Sequence, residues 1–238
     1  MLSIITPVLN GAQFIDKLMQ SIATLSIPHE HIVVDGGSTD DTVEIVSRYP
    51  NVRILEQQCP EGMYAAIQEG FEAAEGEFIT WINSDDWVLK DGYEAMYALI
   101  ASGKYDLVYS SGKCYYPDKS EFIDFKAKLF GKLLFRNNVF PCLQPATIYR
   151  KSIFEKKAGF NYEEFKIAGD IDFFARYAQA SSKPFCRSLT NSVVFLKYKE
   201  SLGNRNHERY LVEKAKLPQP SMGIIGNIIG RVIYKLNL

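Results

Sequence analysis

The chain has 238 residues, an apolar fraction of 47% and a formal net charge of −1. Such a length suits one large globular domain or two small ones. The charge balance lacks the basic surface that grips a phosphate backbone, so no nucleic-acid partner is expected. In chain order, strands are predicted over Leu2–Thr6, His31–Asp35, Val52–Glu56, Glu77–Asn83 and Tyr105–Ser110. Helices are predicted between them, over Ala12–Leu25, Asp40–Tyr49, Tyr64–Ala74 and Asp91–Ser102, the first with Phe14, Leu18, Ile22 and Leu25 on one stripe. Repeated strand–helix–strand units imply an α/β fold with a mostly parallel central sheet and helices on both faces. Residues 1–111 read as a nucleotide-binding half.

The second half, 112–217, is less regular. Tyr115-Tyr116-Pro117-Asp118 reads as a turn between short strands, and Phe125–Arg136 as a short basic and apolar helix. A strand over Gln144–Tyr149, a helix over Asp170–Ala180 and a strand within Phe185–Tyr198 follow. No repeat or low-complexity linker separates the halves, so residues 1–217 are expected to form one compact domain with two lobes. Residues 218–238 are expected to form a C-terminal amphipathic helix, starting in earnest at Met222.

Three first-half strands end in polar or acidic segments: Thr6-Pro7-Val8-Leu9-Asn10, Asp35-Gly36-Gly37-Ser38-Thr39-Asp40-Asp41 and Asn83-Ser84-Asp85-Asp86. In a parallel sheet all three reach one edge, the rim where such sheets bind ligands. A crevice lined by Asp35, Asp85 and Asp86 follows. Adjacent carboxylates repel unless a cation, a hydroxyl or a proton intervenes. Divalent metal over a nucleotide diphosphate is one use; solvated loop acids, with Asp86 capping a helix, are the other. Gly36 and Gly37 permit a tight turn, and Ser38 to Asp41 suit the start of the next helix.

Those three segments resemble the family 2 glycosyltransferases, inverting enzymes of the A-type glycosyltransferase fold, a Rossmann-like nucleotide-diphospho-sugar transferase domain. Glu61-Gly62-Met63-Tyr64-Ala65-Ala66 and Ala74-Glu75-Gly76-Glu77-Phe78-Ile79 fall between them in the family's order. Gln144-Pro145, Ala158-Gly159-Phe160 and Ala168-Gly169-Asp170-Ile171-Asp172-Phe173 resemble its acceptor-side half. The likeness covers about residues 2 to 205. It implies that Thr6, Pro7, Val8 and Asn10 hold the nucleotide base and that Asp35 accepts a hydrogen bond from it. By the same resemblance Met63 and Ser84 belong to the donor site, Asp85 lies near ribose and metal, Asp86 ligates the metal, and Asp170 is the catalytic base. Gln144 and Asp172 fall on the acceptor side. Two positions depart from the pattern: Ala65 stands where an acid is common, and Gln68 where an asparagine is.

The chemistry explains these residue types. Displacing a nucleoside diphosphate leaves charge on phosphate oxygens, which Mg²⁺ or Mn²⁺ held by carboxylates neutralises. The acceptor hydroxyl needs a base to take its proton. Asp170 suits that role because Gly169 allows a close backbone approach, although Asp170 could also cap its helix. Asp172, two residues along the helix, faces elsewhere. The expected function is therefore transfer of a sugar, from a UDP-sugar by default, to a saccharide or lipid-linked saccharide acceptor in glycan biosynthesis. A nucleotidyltransferase and a non-catalytic nucleotide-sugar-binding subunit are the alternatives; the former lacks its glycine-rich basic loop here.

Cys59, Cys114, Cys142 and Cys186 contain no C-x-x-C pair, which argues against zinc and disulfides and fits a reducing compartment. No basic leader precedes Leu2, so no secretory signal is expected, and no stretch reaches the roughly 18 apolar residues of a spanning helix. A cytoplasmic protein is expected, with a qualification at the tail. Ile224, Ile225, Ile228, Ile229, Val232, Ile233 and Leu236 form one stripe beside Arg231 and Lys235. That stripe suits the domain itself, a second subunit in a homodimer, or peripheral contact with an anionic membrane at its inner face. His29-Glu30-His31 reads as surface and turn chemistry, His207 as a solvated histidine, Trp81 as core and Trp87 as a neighbour of the donor.

Overall fold

A computed structural model of the protein describes residues 1–156, 159–199, 201, 205–217 and 232. The first half supplies β1 (Leu2–Val8), α1 (Ile15–Ala23), β2 (His29–Asp35), α2 (Thr42–Ser47), β3 (Val52–Glu56), α3 (Met63–Ala73), β4 (Phe78–Trp81), β5 (Trp87–Val88) and α4 (Lys90–Ala101). The second half supplies β6 (Leu107–Tyr116), β7 (Glu121–Phe125), α5 (Gly131–Arg136), β8 (Thr147–Arg150), α6 (Lys151–Lys156), α7 (Gly169–Ala180), β9 (Phe185–Leu196) and α8 (His207–Lys216). The strands join one sheet in the order β3-β2-β1-β4-β8-β6-β9-β5, with β7 paired to β6. From β3 to β4 the pairing is parallel. β8 then enters antiparallel between β4 and β6, while β9 runs parallel to β6. The sheet is thus parallel from β3 to β4 and mixed beyond them. β6 passes through residue 111 unbroken, and the insertion of β8 threads the second half into the first half's sheet.

Side chains alternate across the strands with a period of two. Ile5, Leu107 and Tyr149 face a core under α3 and α7, where Phe71, Trp81, Phe173 and Phe174 meet largely edge to face. Ile4, Val108 and Ile148 face the opposite core, with Leu18 of α1 and Tyr93 and Met96 of α4. Trp81 is core, as its position in an apolar strand demands.

Three local readings change in three dimensions. α1 begins at Ile15, so its buried stripe is Ile15, Leu18, Met19 and Ile22; Phe14 precedes the first turn and is only half-buried. The histidine pair lies on β2, not in a turn, and His31 is buried with Nε2 at 2.9 Å from Thr6 Oγ1. Burial, then the nearby His29, pushes its pKa down to about 3, so His31 stays neutral. The basic groups of α5 turn inward: Lys132 Nζ donates to Ser181 O and Lys183 O, and Arg136 Nε to Ala178 O. These carbonyls sit at the negative end of α7, where cations are favoured. Of the helix expected over Phe125–Arg136 only Gly131–Arg136 forms, and its Lys132 and Arg136 cap α7 within the fold. The tail expected over Met222–Leu238 lies outside the described residues apart from Val232. No described helix is long and apolar enough to cross a membrane.

Candidate active site

The register Val8↔Asp35 and Ile5↔Trp81 brings the ends of β1, β2 and β4 to one rim. The loops that leave it are bolted together. Asn10 adopts a left-handed conformation, φ +53°. Its N–H donates to Ser38 Oγ at 2.8 Å, and its Oδ1 accepts from Thr39 N at 2.8 Å. Asp35 accepts the Gly37 and Ser38 N–H groups on Oδ2, at 3.1 and 3.0 Å, and the Ser38 hydroxyl on Oδ1. Gly37 makes that turn at φ +89°, a region L side chains avoid. The expected capping by Ser38–Asp41 resolves onto Asp40, which accepts Thr42 N at 3.1 Å and, on its other oxygen, Ala12 N at 3.1 Å.

A cleft of about 660 Å³ opens at this rim, lined by Leu9, Asn10, Gln13, Phe14, Pro117, Leu196, Tyr198 and Arg205. A smaller cavity of about 220 Å³ continues from it past Lys17, Asp85, Trp87 and Tyr115. Thr6, Pro7 and Val8 do not line the cleft. They are buried in β1, Thr6 against His31 and Val8 in the core beneath α1. The loop residues Leu9 and Asn10 take the place expected of them, because β1 extends two residues beyond its predicted end. Trp87 borders the smaller cavity with Lys17 Nζ 3.4 Å above its ring.

The two adjacent acids separate by environment. Asp85 lines the smaller cavity, and its Oδ2 accepts the Tyr198 hydroxyl at 3.0 Å. Asp86 is 1% exposed and caps no helix: α4 starts after Leu89. Its Oδ1 accepts Leu196 N at 2.9 Å, while Oδ2 is buried without a hydrogen-bond partner. Burial raises the pKa of both, and the neighbouring Asp85 charge raises that of Asp86 further. An orphaned carboxylate oxygen beside a second carboxylate fits a hard divalent cation. No cluster of three ligating side chains occurs among the described residues. Asp85 is the acid that reaches the cavity; Asp86 is buried beside it.

Asp170 is the second residue of α7 and half-buried. Its Oδ1 accepts Ile171 N at 2.8 Å. Desolvation raises its pKa to about 6, against the opposing effects of the Ile171 amide and the Tyr64 hydroxyl. The expected close approach at Gly169 is real: a Cβ there would meet the Tyr64 ring at 2.7 Å. Tyr64 is the second residue of α3, which follows β3, and its hydroxyl donates to Ile167 O at 3.0 Å. The starts of α3 and α7 are thereby joined, with Asp170 in the first turn of α7.

Asp172 lies two residues further along α7. It is 3% exposed and takes both Arg176 Nε and Nη2 on Oδ2, at 2.9 and 2.6 Å, while Arg176 also donates to Gly159 O. Through Arg176 it ties α7 to the backbone of Gly159. Gln144 is half-buried and donates to Trp81 O at 3.1 Å, bracing the end of β4. Met63 is the first residue of α3 and partly packed on the core; Ser84 lies against Gly11. Of the two departures, Ala65 is buried, and Gln68 accepts Phe160 N at 2.9 Å, tying α3 to the segment before α7. His207 is exposed and stacks on Tyr210, as a solvated histidine would. Sequence reasoning missed Phe14, Tyr198 and Arg205. Tyr198 lies 113 residues from its partner Asp85, a separation no local pattern reveals.

The sequence pattern of Glycosyl transferase family 2 matches residues 3–175. The chain belongs to this family. It is similar to the PGL/p-HBAD biosynthesis glycosyltransferase of Mycobacterium bovis, 30% identical over 213 residues that cover 87% of this chain and 79% of that protein. The poly(ribitol-phosphate) beta-N-acetylglucosaminyltransferase TarS of Staphylococcus aureus is 27% identical over 175 residues, 71% of this chain and 30% of TarS. Solved TarS 1–349 in complex with UDP-GlcNAc superposes with a TM-score of 0.70 at 21% identity, over 84% of this chain and 59% of that one. The mannosyltransferase PcManGT from Pyrobaculum calidifontis, in complex with GDP-Man and Mn²⁺, gives 0.62 at 18% identity, over 91% and 61%. At these identities the solved structures establish the glycosyltransferase fold, and this chain spans about three fifths of their length. The family and the α/β fold read from the motifs are borne out.

Proposed function

We propose that this family 2 glycosyltransferase moves a sugar, with inversion, from a nucleotide-diphosphate sugar to a hydroxyl of a saccharide or lipid-linked saccharide. The observation that supports this reading is the gathering of Asn10, Asp35 and Asp85 at the ends of β1, β2 and β4, beside a first-turn Asp170 of α7 whose pKa is raised to about 6. A base poised there is deprotonated at neutral pH yet basic enough to take a hydroxyl proton. Asp170 accepts that proton as the acceptor oxygen bonds to the anomeric carbon. The bond from that carbon to the diphosphate oxygen breaks on the opposite face, and the diphosphate leaves with the electron pair. Asn10 and Asp35 order the loops around the base and ribose. Asp85, backed by Asp86, would hold Mn²⁺ or Mg²⁺, which when bound neutralises charge on the departing diphosphate.

UDP is the default donor base, supported by the TarS complexes with UDP and UDP-GlcNAc, while PcManGT was solved with GDP-Man. A lipid-linked acceptor would bring the protein to a membrane surface, for which residues 222–238 offer an apolar stripe beside Arg231 and Lys235. The test is incubation with UDP-, GDP- and dTDP-sugars, a panel of saccharide acceptors and Mn²⁺, measuring nucleoside diphosphate and the glycosylated product. Pyrophosphate released from a nucleoside triphosphate would instead mark a nucleotidyltransferase. Affinity without turnover across the panel would mark a binding subunit.

A further inference from the structure

α8 is a polar helix whose one buried residue is a glutamate, Glu213, 3% exposed. Its carboxylate meets three consecutive backbone amides. Lys166 N donates to Oε1 at 3.1 Å, and Ile167 N and Ala168 N donate to Oε2 at 2.8 and 2.9 Å. Arg209 Nε, one turn earlier on α8, donates to Oε1 at 2.8 Å. Burial pushes the Glu213 pKa up, but the three amides and Arg209 outweigh it and hold the group below the ordinary carboxylate range. Burying a charge is costly unless it is fully hydrogen-bonded, and here three of the four bonds come from one short segment. An apolar side chain would dock α8 at less cost, since Phe165, Ala168, Ile171 and Leu217 already form an apolar cluster beside it.

The segment Glu213 grips, 166–168, is the entry to α7, whose N-cap Ala168 has no capping side chain and whose second residue is Asp170. Its other side is held from the start of α3. The Tyr64 hydroxyl takes Ile167 O at 3.0 Å, and Lys166 Nζ reaches Glu61 Oε2 at 2.5 Å. The carboxylate of Asp170 thus depends for its place on a loop clamped between α3 and α8. α8 in turn follows Arg205, which lines the larger cleft.

We infer that Glu213 is a positioning residue for sugar transfer, holding the 166–168 segment so that Asp170 stands where the acceptor hydroxyl must be. This rests on the reading of Asp170 as the base. The experiment uses the full-length chain with Glu213→Gln and Glu213→Asp, reading kcat and donor KM, and the titration of the Asp170 carboxyl by ¹³C NMR. Gln keeps the size but offers an amide nitrogen to an array of donors; Asp keeps the charge on a shorter arm. In the Gln variant donor KM is expected to hold while kcat falls by up to about 10²-fold, the scale of a small misplacement of a reacting group. The Asp170 titration should move with it, and the Asp variant should recover part of both. If the Gln variant does not fold, the Asp variant carries the same two readings. A folded variant with wild-type kcat and an unmoved Asp170 titration overturns the inference. Full transfer by Asp170→Asn would instead overturn the role of the base, and the Asp170 titration would still decide whether Glu213 positions it.

Discussion

The Tyr198 hydroxyl donates to Asp85 Oδ2 at 3.0 Å, and the same end of β9 offers Leu196 N to Asp86 Oδ1 at 2.9 Å. Both acids are therefore held from the end of β9, 110 and 113 residues further along the chain. The Tyr198 bond favours the charged form of Asp85 against its desolvation. Tyr198→Phe should leave the fold intact and raise the Asp85 pKa. The apparent Mn²⁺ requirement in a transfer assay should then rise several-fold; an unchanged metal titration would separate Tyr198 from the donor site.

Asp86→Ala leaves a buried Leu196 amide without its acceptor, which costs about 1–3 kcal/mol. Its burial predicts a lower thermal midpoint for this variant. Asp86→Asn keeps an acceptor for Leu196 and removes a charge. The folded pKa of Asp86 is raised above its unfolded value, so its contribution to stability is full below the ordinary aspartate range and is lost as pH rises. Wild type should therefore lose stability across that rise relative to Asp86→Asn. Mn²⁺ should restore it at neutral pH by mass action, and should fail to do so when Asp85 and Asp86 are both Asn. Thermal melts at several pH values, with and without metal, check all three statements.

Asp170→Asn should bind nucleotide as wild type does and transfer sugar about 10²- to 10⁴-fold more slowly. The acid limb of the wild-type kcat profile should fall near pH 6, the raised Asp170 value. Stability linked to this group is fully present below about pH 3.8, the ordinary value, and is lost as pH rises through about 6. The Asn variant should lack that slope. Paired nucleotide-binding and transfer measurements on one preparation decide the matter: near-normal transfer would remove Asp170 from the chemistry.

Phe14 and Leu18 sit four residues apart yet serve different ends. Leu18 is fully buried under the sheet, and Leu18→Ala should cost about 2–5 kcal/mol. Phe14 lines the cleft and pairs with the Tyr198 ring at 5.4 Å between centroids. Phe14→Ala should weaken donor affinity with a smaller loss of stability. Calorimetry on both variants, for melting and for nucleotide binding, distinguishes them.

Gly169→Ala would push a Cβ to 2.7 Å from the Tyr64 ring, at the point where α3 and α7 meet. Overpacking of this kind costs about 1–3 kcal/mol. Because the ring also fixes Ile167 O, transfer should fall more than stability alone accounts for. Equal losses in folded fraction and in turnover would show the contact to be structural only.

Local chemistry settled a great deal of this protein. Alternating apolar runs and helical stripes placed β1 to β4 and α1 to α4, because periodicity reports which face is buried. Polar strand ends placed Asn10, Asp35, Asp85 and Asp86 on one rim, because parallel strands must finish together. What tertiary structure alone decided is the state of each group there. The desolvation of Asp86, the pairing of Asp172 with Arg176, the burial of Thr6 against His31 and the inward turn of Lys132 and Arg136 depend on neighbours far away in sequence. The same holds for Tyr198 on Asp85 and Glu213 on the entry to α7. A side chain's type and spacing say which chemistry it can perform; its charge state and its reach are set by the elements that close over it.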